Sequence, residues 1–211
     1  VINSDTVEYI DAAVRTEKVP HFEVRQEVYV SGDHRFALAS FPGITGELKM
    51  RLLHSALGMM TEIVELQAAL RKCDWVNVAE EVGDVFWYWA VAMRACGFTS
   101  MPARAPSTSF MRNEARTGEP LIAAICEWGD LVRRDAIHAK PPKPEDVAQR
   151  LFDVYDEACT LCEAVEIDPL QVMRRNIAKL RVRFPEKYDG VRFDQRDLEE
   201  ERRVLERADD K

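Results

Sequence analysis

The chain has 211 residues, enough for one domain with an appendage, and 46% of them are hydrophobic, enough for a core. Its 37 acidic residues outnumber its 29 lysines and arginines, for a formal net charge of -8. That balance argues against a nucleic-acid or membrane-surface binder, which needs a broad basic footprint, but leaves an anionic small molecule open because a metal ion can mediate the contact.

No apolar run reaches the roughly 18 residues of a membrane span, and the first residues carry no basic, apolar leader pattern. A soluble cytoplasmic protein is the expectation. The five cysteines are Cys73, Cys96, Cys126, Cys159 and Cys162. Cys159 and Cys162 have the spacing of half a zinc site, but no second pair or histidine cluster accompanies them. They read as small buried residues of a reducing compartment.

"SDTVEYIDAAVRT" predicts a short helix, capped by Ser4 or Asp5, with Val7, Ile10 and Val14 on one face. Segment 17–44 follows. Phe22, Val24, Val28 and Val30 stand at even spacing and "SGDH" offers a turn, so a small β-hairpin or an irregular insertion over the bundle is expected. After "FPGITG" a long helix carries Leu48, Leu52, Leu57, Ile63, Leu66 and Leu70, and "RKCD" ends it. The next helix runs from about Trp75 to Cys96 and stops at Gly97. The short connection makes these two helices antiparallel neighbours. Residues 98–120, rich in Pro, Ser and Thr, read as a long loop. Amphipathic helices follow near 119–138 and 145–166, separated by "AKPPKPED", whose prolines exclude helix. A further helix starts at Asp168-Pro169 and ends before Pro185. The tail, 190–211, is polar and helical to about Glu206. The elements add up to one all-α domain over 1–211, with core helices at about 45–97 and 119–183.

Two acidic pairs stand out. The long helix contains "TEIVEL", with Glu62 and Glu65 three residues apart; the next contains "EVGD", with Glu81 and Asp84 at the same separation. That spacing puts both members of a pair on one helix face. Antiparallel helices then bring the pairs together across one interface. A single such pair is ordinary on a solvated face, but two pairs on consecutive helices, both set in apolar sequence, point to a site. Spacing alone leaves Glu80 as an alternative to Glu81. No lysine or arginine lies at neighbouring positions of the same faces, so the carboxylates repel one another or take up protons unless a hard cation joins them. Mg²⁺ suits oxygen ligands and is often shared with substrate phosphates; Mn²⁺ is a possible substitute. Gly83 is placed to let the two helices approach closely. His54, two turns before Glu62, shares roughly its face and is a candidate substrate contact, a structural histidine being the alternative.

"TEIVEL" followed by "EEVGDVFWY" resembles the MazG-like, all-α nucleoside triphosphate pyrophosphohydrolases. "YIDAAVRT" resembles the family's opening helix, "LLHSALGMMTE" its lead-in to the first motif, and "NIAKLRVRFPEKYD" with "RDLEEER" its C-terminal segment. The resemblance implies a MazG-like helical bundle that hydrolyses a nucleoside triphosphate to the monophosphate and pyrophosphate with Mg²⁺. Glu62, Glu65, Glu81 and Asp84 match the metal-binding carboxylates, with the Glu62/Glu65 pair favoured for activating water. Tyr88 resembles an aromatic residue lining the nucleotide site, and Asn176 and Lys179 become substrate-binding candidates. Arg183 and Lys187 read as solvated charges, Trp87 and Trp89 as packing, and Arg112 as a residue that could close over phosphates. The resemblance also implies a homodimer or homotetramer, because the two motif helices form only half a bundle. Two departures are Val64, where the family commonly has glycine, and the long 98–120 segment. Di-iron chemistry is disfavoured because no Glu-x-x-His occurs. A non-catalytic helical interaction module is the other alternative.

Overall fold

The computed structural model describes residues 4–17, 46–98, 104, 107–138, 140–185 and 197–206. The hairpin or insertion expected over 17–44 lies almost wholly outside the described residues, as does Lys187. Among the described residues the chain is all-α, with eight helices and no strand. They are α1 (Ser4–Val14), α2 (Gly46–Lys72), α3 (Trp75–Ala95), α4 (Ser109–Ala115), α5 (Glu119–His138), α6 (Pro144–Ala164), α7 (Pro169–Arg183) and α8 (Leu198–Glu206).

Local chemistry sets the boundaries. Asp74 caps α3 by accepting from the Asn77 amide at 3.3 Å, and Asp168 caps α7 by accepting from the Leu170 amide at 3.0 Å. Gly97, with φ +78°, closes α3 in the left-handed conformation that glycine adopts without a Cβ penalty. Pro144 corrects one expectation. It does not block helix but opens α6 at its first turn, where the missing N–H is not needed.

The 98–120 segment also differs from the expected loop, because it contains α4. Thr108 caps that helix, accepting from Met111 N at 3.2 Å, and Ala115 is buried. Arg104 fastens the segment to α6. Its guanidinium reaches Asp156 at 2.7 Å and Thr160 at 2.8 Å, and also binds Glu163. Arg112 donates to the Ser107 carbonyl within the same segment.

α3 is the central element. Val82, Val85, Phe86 and Trp89 are fully buried, and the helix packs against α1, α2, α6 and α7. Trp89 stacks on Tyr155 at 5.0 Å and donates its indole N–H to the Leu151 carbonyl at 3.0 Å, so it serves packing as expected. α2 lies on both α3 and α5, and α5 pairs with α6. Buried Met59 and Leu66 of α2, Trp128 of α5 and Leu151 of α6 join the same core. Cys159 and Cys162 are buried and free. Within the chain the motif helices pack against α1, α5, α6 and α7, while Leu57 and Val64 of α2 stay exposed. α8, the helical part of the polar tail, packs on α7 and α3. Arg183 binds Glu201 through both guanidinium arms, at 3.0 and 2.6 Å, with side chains only 13% and 3% exposed. No helix among the described residues is long and apolar enough to cross a membrane.

The close approach of α2 to α3 depends on Gly58, not Gly83. A Cβ on Gly58 would lie 2.1 Å from the Tyr88 ring. Gly83 instead faces α7, where its Cβ would meet Asn176 at 3.2 Å. Gly58→Ala should therefore displace Tyr88. Overpacking of this kind costs about 1–3 kcal/mol, more than the ~1 kcal/mol alanine gains over glycine in a helix, so urea denaturation should show a lower midpoint.

Candidate metal centre

α2 and α3 place Glu62, Glu81 and Asp84 so that one carboxylate oxygen of each lies within 4.8 Å of the others. Glu81 is 9% exposed, Glu62 and Asp84 are half-buried, and Glu65 is exposed. The expected four-carboxylate set is thus a cluster of three, with Glu65 on the adjoining cavity wall. The choice between Glu80 and Glu81 is resolved: Glu81 enters the cluster, while Glu80 lines the cavity beside it.

The electrostatics follow from crowding and burial. Desolvation, reinforced by Asp84 and Glu65, pushes the Glu62 carboxyl up to about 7. Desolvation and then the charges of Asp84, Glu65, Glu80 and Glu62 push Glu81 up to about 9. Thr61 Oγ1 donates to Glu62 at 3.3 Å.

Asp84 is treated differently. Lys179 Nζ lies 2.6 Å from each of its oxygens and 3.4 Å from Glu80 Oε1. Asn176 Nδ2 donates to Asp84 Oδ1 at 2.7 Å. The Tyr9 hydroxyl, 3.2 Å from Asn176 Oδ1, fixes the amide so that its NH₂ faces Asp84. Tyr9 itself is buried, and its hydroxyl is pushed well above its usual range by desolvation and by Asp84. The sequence showed no counter-charge on the motif faces; α7 brings one from 95 positions further along the chain.

A cavity of about 710 Å³ adjoins the cluster. Glu62, Glu65, Glu80, Glu81 and Asp84 form part of its wall, and His54, Trp87, Tyr88 and Thr16 another part. The His54 ring meets Tyr88 edge-on at 5.4 Å and Trp87 at 5.9 Å. Burial lowers the His54 pKa, favouring the neutral ring, and its buried Nδ1 has no hydrogen-bond partner among the described residues. Tyr88 is pushed up to about 12, first by burial and then by Glu62 and Asp84.

Of the substrate candidates, Tyr88 and His54 line the cavity; Asn176 and Lys179 are buried, with their polar atoms on Asp84, and are not part of its wall. Residues read as packing or solvated charge, or not singled out, also line it, among them Trp87, Arg183 and Thr16. Trp87 Nε1 donates to Ala13 O and Thr16 Oγ1, both at 3.0 Å, which pins the indole against the end of α1. Trp87 lies three residues after Asp84, so it shares that residue's side of α3.

The donor set fits a hard divalent cation. It offers oxygens only, from three groups close enough to share one ion, two of them pushed toward the protonated form that a cation would reverse. An all-α bundle that carries such a cluster beside a cavity defines a candidate metal centre. Comparisons of the chain with protein-family models, with curated proteins and with solved structures gave no match.

Carboxyls held protonated by the fold make stability depend on pH. The folded chain keeps protons that the unfolded chain has released, so this contribution is present below the ordinary carboxyl range and is lost as pH rises toward about 9. The Mg²⁺-induced rise in melting temperature should therefore grow as pH increases over that range. A rise of the same size at every pH would contradict the arrangement.

Proposed function

We propose that the protein is a metal-dependent nucleoside triphosphate pyrophosphohydrolase, releasing the nucleoside monophosphate and pyrophosphate. The observation that carries this reading is the convergence of Glu62, Glu81 and Asp84 beside a cavity of about 710 Å³ with both aromatic and charged walls. The order of motifs along the chain, from "TEIVEL" through "EEVGDVFWY" to "NIAKLRVRFPEKYD", supports it.

The division of the walls suits a nucleotide. His54, Trp87 and Tyr88 offer ring faces and edges to a base or sugar, and Arg183 offers a guanidinium for phosphate oxygens. Arg183 already holds Glu201, so it keeps a fixed direction. Glu62, Glu81 and Asp84 would hold Mg²⁺, with Glu65 near enough to act on Glu62 and Glu81 by charge. When bound, the metal supplies positive charge against the triphosphate oxygens as negative charge moves to the leaving pyrophosphate.

The chain's own residues handle the water and its proton. One carboxylate of the Glu62/Glu65 pair orients the attacking water and accepts its proton. The water oxygen bonds to the α-phosphorus. The bond from that phosphorus to the bridging oxygen breaks, and pyrophosphate leaves with the electron pair. Asp84, held by Lys179 and Asn176, keeps a fixed orientation through the step. A homodimer or homotetramer and a cytoplasmic setting accompany this reading as further parts of the proposal.

A panel of ribo- and deoxyribonucleoside triphosphates with Mg²⁺ or Mn²⁺ tests it, scored for monophosphate and pyrophosphate. Turnover of at least one member is expected. Asp84→Asn and Glu65→Gln should each lower it by about 10²-fold or more while the helical circular-dichroism signal persists. Absence of pyrophosphate release across the whole panel would overturn the reading and favour a non-catalytic module.

A further inference from the structure

The resemblance makes Lys179 a substrate-binding candidate, but its surroundings give it to Asp84. Its side chain is 1% exposed, which places it among the most buried large side chains of the molecule. Asp84 lines the cavity and Lys179 does not. The ammonium meets both Asp84 oxygens at 2.6 Å, so it meets the cavity only through that carboxylate. A buried ammonium is costly unless a carboxylate compensates it, and here the carboxylate is also a member of the candidate metal cluster.

Two cations therefore draw on the same oxygens. A divalent ion that takes Asp84 as a ligand must share the negative charge with Lys179 and is repelled by the ammonium behind it. Asn176 holds the same carboxylate with a neutral amide. That amide is tied back by Tyr9 and seated against Gly83, where there is no Cβ to displace it. Asp84 would thus keep its direction if the lysine's charge were removed. Glu80, 3.4 Å from Nζ and part of the cavity wall, offers the ammonium a second carboxylate when Asp84 turns its charge to a metal.

We propose that Lys179 is a built-in competitor of the divalent ion at Asp84. It is the resident cation of the metal-free site, and it sets how weakly the ion is held. On this account Lys179 is a positioning residue that acts through Asp84 and does not touch phosphate. The inference rests on the metal reading given above.

Isothermal titration of Mn²⁺ into the full chain tests it, with Lys179→Met as the main variant. Lys179→Gln, which keeps a donor near Asp84, serves if the methionine variant does not fold. Removing the positive charge should tighten Mn²⁺ binding by about tenfold or more. Affinity for inorganic pyrophosphate, measured at saturating Mg²⁺, should stay within about twofold of the unaltered chain. A merely structural lysine would not tighten metal binding when removed. Unchanged or weaker Mn²⁺ binding in the variant overturns the inference, and so does a collapse of pyrophosphate affinity, the mark of a phosphate ligand. If the unaltered chain itself binds no Mn²⁺, the metal reading fails and the inference fails with it, an outcome distinct from either of these.

Discussion

The molecule is organised around one electrostatic conflict. Three carboxylates on two helices are held with oxygens within 4.8 Å of one another, partly out of water. Left free, such groups would move apart or draw in solvent. Two features prevent it. Behind the acidic face of α3 lies the best-packed part of the core, with Val82, Val85, Phe86 and Trp89 fully buried. The connection to α2 is only Cys73 and Asp74, so the two helices cannot drift apart without exposing that core. Hydrophobic packing thus holds the acids where their own charge would not.

The conflict is relieved unevenly. Asp84 receives a buried lysine and an oriented asparagine; Glu62 and Glu81 receive neither, and their carboxyls are pushed up instead. One carboxylate is therefore held in a fixed direction, while the other two are pushed toward the protonated form by burial and by their neighbours. Distant parts of the chain maintain this asymmetry. α1 contributes Tyr9, α7 contributes Asn176 and Lys179, and α8 holds Arg183 through Glu201. A helix that looks peripheral in sequence, such as the polar tail, thereby reaches the cavity.

Much of this was legible in the sequence. Helical periodicity, the break at "RKCD", Gly97 and the start at Asp168-Pro169 marked α2, α3 and α7 closely, because each boundary is set by neighbouring residues. The convergence of Glu62 with Glu81 and Asp84 followed from two i, i+3 pairs on antiparallel helices. Features set by long-range contact were not legible. Nothing near Asp84 announces that Lys179 will land on it. Arg183 looks solvated until α8 folds back. α4 is too short to show periodicity, and its anchor, Arg104, finds its partners on α6. Gly83 was assigned to the wrong neighbour because helical spacing identifies a face but not which helix covers it. Glu65 shows the same limit from the other side: its spacing matches Glu62, yet it is exposed on the cavity wall and not within the cluster.

The central claim is that Glu62, Glu81 and Asp84 form a divalent metal site. Its most direct test is anomalous diffraction from crystals of the protein equilibrated with Mn²⁺. The account predicts an anomalous peak bounded by these three carboxylates, on the wall of the cavity that also carries Trp87 and Tyr88. Crystals that show no peak there at saturating Mn²⁺, or show one only at other acidic residues, would contradict it.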